Sequence, residues 1–131
     1  MDKKLLDALA AKAEQRKADK TKAKQFEVCG QMLDFVKIGH TAQLDAYEAF
    51  IEASGNVSTS LSIAAQVIYD CCPALQEPEL HAALGITDPY DTVWALMSVR
   101  EVNVLGQQIF AWLELLPEDE NAKAEQDPAK N

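Results

Sequence analysis

"IYDCCPALQEPELHAALGITDPYDTVW", residues Ile68–Trp94, decides the fold. Proline has no backbone N–H and a φ fixed near −65°, so it stops a helix that reaches it and suits the first turn of the next. Pro73 therefore ends the helix arriving through Ile68. Glu77-Pro78 opens a short helix with Leu80 and Leu84 on one face, and Gly85 takes the place that follows its end. Asp88-Pro89 repeats the device: Asp88 caps, Asp91 adds negative charge to the first turn, and Val93, Trp94 and Met97 are expected to face inward.

The corner at Pro73 carries Cys71 and Cys72. Neighbouring side chains on a helix point apart, so a vicinal disulfide would be strained, and local zinc motifs space their cysteines two to four apart. With Cys29 the chain has three cysteines, a poor disulfide framework. We read the thiols as reduced, small apolar groups, the pair packed at the corner, and His81 as an exposed polar position.

Upstream, Leu61, Ala64, Ala65, Ile68, Cys71 and Cys72 make one helical stripe behind the capping residues of "NVSTSL". Before it, Thr41 is placed as an N-cap for a helix carrying Leu44, Tyr47, Phe50 and Ile51, ended by Ser54-Gly55. "KQFEVCGQMLDFVKIG", Lys24–Gly39, instead alternates Phe26 and Val28 with polar residues and continues into Leu33, Phe35, Val36 and Ile38, so it predicts a short β-hairpin turning at Gly30-Gln31. Asp2 to about Lys22 has no Gly or Pro and only Leu5, Leu6 and Leu9 as large apolar residues, which predicts a helical arm that needs a neighbour.

Downstream, Ser98 and Glu101 have capping-box spacing for a final helix whose stripe is Val102, Leu105, Ile109, Trp112, Leu113 and Leu116. Gly106 in its middle costs about 1 kcal/mol relative to Ala, which close backbone packing would explain. Pro117 stops the helix. The expected class is mainly α: a basic helical arm over 1–23, a compact multi-helix domain over 24–116 with a hairpin near 26–38, and a disordered acidic tail over 117–131.

The chain's 131 residues, 48% of them hydrophobic, suffice for one domain with a real core. Its net charge of −9 is uneven. Residues 1–25 hold eight bases against four acids, +4, so the remaining 106 residues carry −13. Such a body repels nucleic acid and anionic lipid, and the arm has no aromatic residue on which a base could stack. A basic arm meeting another copy's acidic body suits the asymmetry better. No apolar run is long enough to span a membrane and no secretory core is present, so a cytoplasmic location is expected. No phosphate loop, nucleophile–base arrangement or metal-ligand spacing appears. The reading is of a protein that is not an enzyme and has no cofactor, metal or catalytic residue.

The block Leu61–Leu113 resembles the tail assembly chaperones of long-tailed (lambda-like) bacteriophages. The likeness lies in an order of features: a helix into "IYDCCPAL", the short helix "EPELHAALG", then "DPYDTVWALM", then a helix opening "REVNVLGQQI". The resemblance implies a non-virion protein of the host cell cytoplasm that coats the helical tape measure protein, recruits tail tube protein and associates with itself. Leu5, Leu6, Leu9, Tyr90, Trp94 and Trp112 are the candidates for contact with a partner or another copy, with core packing the alternative for the two tryptophans. The alternative function is a small helical regulatory or adaptor domain that binds a host or phage protein.

Overall fold

A computed structural model describes residues 1–116; the expected tail, 117–131, lies outside the described residues. Helix α1 (Lys3–Thr21) is followed by strands β1 (Lys24–Val28) and β2 (Gln31–Phe35), then by α2 (His40–Glu52) and α3 (Val57–Cys71). A 3₁₀ turn at Pro73–Gln76 leads to α4 (Pro78–Leu84), α5 (Asp91–Leu96) and α6 (Val99–Trp112). The class is therefore mainly helical with one antiparallel hairpin, as expected.

The core lies between α3, α6 and the inner face of the hairpin. Phe35, Ile68, Leu75, Val93, Val102 and Ile109 are fully buried there. Helix α6 opens with the expected capping box: the Ser98 hydroxyl accepts from the Glu101 N–H at 3.2 Å and the Glu101 carboxylate accepts from the Ser98 N–H at 3.0 Å. Gly106 faces Ala64, and the missing side chain lets α3 and α6 approach closely. The Phe26 ring meets the edges of Phe35 at 5.2 Å and Trp112 at 5.6 Å, which seats the hairpin on α6. The Val36 N–H donates to the Cys71 carbonyl at 2.7 Å and ties the strand end to the Pro73 corner.

Cys71 and Cys72 are buried, unpaired thiols at that corner, as the sequence suggests. Burial pushes the Cys71 thiol up to about 12 and raises Cys72 as well. Cys29 departs from the expectation for the thiols. It is exposed in the hairpin turn, with its Sγ donating to the Leu96 carbonyl at 2.9 Å.

Six local expectations are corrected. The stripe of the last helix was expected to run through Leu116 to Pro117, but α6 ends at Trp112. The hairpin pairs Val28 with Gln31, so its turn is Cys29-Gly30, one residue earlier than expected. Both residues have positive φ, +54° and +77°, as a type I′ turn requires, and glycine takes the second place of such a turn, not the first. Helix α2 starts at His40 with Gly39 as cap, so Thr41 falls inside its first turn. No side chain caps that end, and the Gln43 side-chain amide donates to the Ile38 carbonyl at 2.9 Å, tying the first turn to the segment before it.

Helix α5 begins at Asp91, and Asp88 instead caps the preceding turn by accepting from the Tyr90 N–H at 3.1 Å. Thr92 and Val93 point inward, with the Thr92 hydroxyl donating to the Pro89 carbonyl; that orientation turns Trp94 outward to 39% exposure. His81 is half-buried, not exposed. Its Nε2–H donates to the Leu75 carbonyl at 2.8 Å, and its ring stacks on Tyr69.

Candidate protein-binding site

Three uncovered apolar regions of the described structure could receive another polypeptide. The first is a groove of about 490 Å³ between the N-terminal half of α3 and the outer side of α6. Phe50, Val57, Leu61 and Phe110 line it, Ala64 and Gly106 form its floor, and Ser60, Asn103 and Gln107 supply polar groups. Its depth follows from local sequence. The Gly106–Ala64 contact brings the helix backbones together while the larger side chains on either side stand up as walls. Phe50 of α2 closes one end by packing on Phe110 at 5.2 Å. Val57, in the first turn of α3, is 72% exposed at the mouth.

The second region is the outer face of α2. This helix carries two apolar ridges, and one of them, with Ala46 and Phe50, packs on the core. The other, Leu44, Tyr47 and Ile51, is exposed at 62%, 42% and 54%. The sequence reading places Leu44, Tyr47, Phe50 and Ile51 on one helix without separating the covered residues from the uncovered ones. Periodicity cannot say which of two adjacent ridges meets the neighbour. The exposed carboxylates Asp45, Glu48 and Glu52 run beside it.

The third is α1. Every side chain described in this helix is exposed, Leu5, Leu6 and Leu9 to 50–54%. Its tie to the body is an ion pair at 2.8 Å between Arg16 and Glu114. Glu114 follows the end of α6 with φ +62°, and the Leu115 and Glu114 N–H groups donate back to the Phe110 and Ala111 carbonyls. This is a Schellman closure with a glutamate where glycine is usual. The hydrogen bond from Arg16, and then its charge, hold the Glu114 carboxyl below the ordinary carboxylate range.

The remaining candidates part company. Tyr90 (41% exposed) and Trp94 (39% exposed) are four residues apart, a spacing that puts them on one side of the start of α5. The Tyr90 hydroxyl donates to Asp70 at 3.1 Å and its ring lies 4.9 Å from Tyr69. Burial raises the Asp70 carboxyl despite that hydrogen bond, and it raises both tyrosines too. Trp112 stands apart from them, half-buried between Phe26 and the ammonium of Lys37, which sits 5.5 Å over the ring. The three leucines of α1 are together, but on a different element from Tyr90 and Trp94.

Among the described residues no cluster of three or more metal-ligating side chains is present, and no helix is long and apolar enough to cross a membrane. What the arrangement offers is apolar surface bordered by charge, the chemistry of binding polypeptide. No protein-family model, curated protein or solved structure matches the chain.

Proposed function

We propose that this chain is a tail assembly chaperone of the long-tailed phage type, a non-enzymatic protein that holds a helical client and keeps it dispersed. The observation that carries the proposal is the groove between α3 and α6. It is mainly apolar, and its floor is the close Gly106–Ala64 contact between two helices whose larger side chains form the walls. An amphipathic helix lays residues spaced i, i+3/i+4 and i+7 into such a groove. The client is the tape measure protein implied by the resemblance, a long helical chain whose apolar faces aggregate when uncovered. Tail tube protein is the second partner that the resemblance implies. The acidic body supports the same reading, because a net negative skin keeps a loaded assembly from coalescing.

The test is co-expression of the tape measure protein with the chain and with its Val57→Asp variant. Asp in the first turn of α3 suits the helix dipole, so the fold is retained while a charge enters the groove mouth. The expected result is soluble client with the natural chain and aggregated client with the variant or without either. Client that stays soluble in the absence of the chain would defeat the proposal.

A further inference from the structure

The C-terminal half of α1 borders Leu44 and Tyr47 of its own α2, where Arg16 and Lys20 line a cleft of about 560 Å³ with them, but the leucines of α1 lie at its other end and do not reach that ridge. Helix α1 is anchored to its own body at Arg16. Leu5 lies eleven residues ahead of that anchor, about 16 Å along a helix that rises 1.5 Å per residue. The intervening segment is unbroken helix with no Gly or Pro, so it cannot fold back. Leu5, Leu6 and Leu9 consequently project away from the core, to which no residue of α1 belongs.

The outer face of α2 has a matching ridge. Leu44, Tyr47 and Ile51 follow i, i+3, i+7 spacing and run about 10 Å along the helix. Asp45, Glu48 and Glu52 repeat that spacing one position on, so an acidic ridge runs alongside the apolar one. No Lys or Arg occurs between His40 and Glu52, and none of these carboxylates is in an ion pair among the described residues, although Arg16, Lys20 and Lys37 line the cleft beside Leu44 and Tyr47. On α1, Lys3, Lys4 and Lys12 flank the three leucines and outnumber Asp2 and Asp7 there, so residues 2–12 carry +1. Apolar ridge faces apolar ridge and base faces acid.

We propose that α1 of one copy docks along the outer face of α2 of a second copy, its three leucines against Leu44, Tyr47 and Ile51 and its lysines on the flanking carboxylates. Each copy then has one arm to give and one face to offer. The contact is head to tail, and it adds copies into a ring or a chain. The inference does not depend on the client groove, which lies on α3 and α6; assembly and client binding fail separately.

Sedimentation of the full chain tests this with two variants, Leu5→Glu/Leu9→Glu and Leu44→Glu/Ile51→Glu. All four positions are exposed on helices, and circular dichroism checks that each variant keeps its helix content. The natural chain is expected to associate, more weakly as salt rises toward about 0.5 M. Each variant alone is expected to be monomeric at the same concentration. An equimolar mixture is expected to give a one-to-one heterodimer, because one variant retains an intact face and the other an intact arm. A natural chain that remains monomeric, a variant that assembles like it, or two monomeric variants that do not pair on mixing would each overturn the proposal.

Discussion

Gly106 lies so close to Ala64 that a methyl group at position 106 would come within 2.8 Å of the Ala64 Cβ. That Cβ is fixed to the backbone of α3 and cannot swing away, so the helices themselves must part. Gly106→Ala gains up to about 1 kcal/mol of helix propensity but overpacks the seam, which costs about 1–3 kcal/mol. The net expectation is a loss of up to about 2 kcal/mol, read as a lower urea midpoint. Adding Ala64→Gly removes the clash and is expected to restore part of the loss. A single variant more stable than the natural chain would show that the seam is loose.

The thiols divide by position. Cys29 is exposed and Cys71 and Cys72 are buried, so a thiol reagent is expected to label one cysteine in the folded chain and three after denaturation. The pH dependence follows from the direction of the shift. A thiol whose folded pKa is raised contributes stability that is complete below its unfolded pKa and is lost as pH rises toward the folded value. For Cys71 that window runs from about 8.5, the ordinary thiol value, to about 12. Within it the loss is about 1.4 kcal/mol per pH unit for one thiol. Urea midpoints measured from pH 8 upward are expected to fall less steeply in Cys71→Ala, and equal slopes would refute the assignment.

His81 is committed to the Leu75 carbonyl and to the face of Tyr69. Replacing it with alanine leaves that half-buried carbonyl without its donor, and about 1 kcal/mol of stability is expected to go with it. Because the imidazole is used in this way, adding zinc or a strong chelator is expected to leave the thermal midpoint unchanged. A midpoint that moves with either reagent would point to a zinc site built from Cys71, Cys72 and His81.

Local signals made much of this fold legible. Pro73, Pro78, Gly85 and the Ser98–Glu101 pair each act within a turn, so the sequence places the breaks around α3 and α4 and the start of α6 correctly. The end of α6 it places too late, because the closure at Glu114 stops the helix at Trp112, ahead of Pro117. Gly106 was readable because a residue that weakens a helix needs a reason, and the seam supplies one. The outward ridge of α2 was not readable. Leu44 and Ile51 are as apolar as Phe50, and only the positions of α3 and α6 decide which of them is covered. Trp94 was misplaced for the same reason: a six-residue helix is oriented by whichever pair of side chains reaches the core, here Thr92 and Val93. The Arg16–Glu114 pair spans 98 positions and has no local pattern at all. Of the candidate surfaces, the leucines of α1 could be found because nothing in their own helix could bury them. The α3–α6 groove needed the seam geometry.

The last case concerns Glu114, where one residue serves two opposed demands. Its φ of +62° is a conformation that glycine adopts freely and an L side chain resists, and the Schellman closure of α6 imposes it. The carboxylate at that strained position receives Arg16 and so tethers the arm. Both partners are more than half exposed, at 56% and 60%, so the bridge adds at most a few tenths of a kcal/mol. Relief of the left-handed strain gives about 1 kcal/mol. Glu114→Gly is therefore expected to stabilise the body while releasing α1. Denaturant midpoints report the first effect, and faster tryptic cleavage after Arg16 and Lys17 reports the second. Acid is expected to release the arm in the natural chain too. The Glu114 pKa is lowered by Arg16, so the bridge is complete above the ordinary glutamate value near about 4.3 and is lost as pH falls through the depressed one. If Glu114→Gly lowers stability, or leaves cleavage of the arm unchanged, position 114 is neither strained nor the tether of the arm.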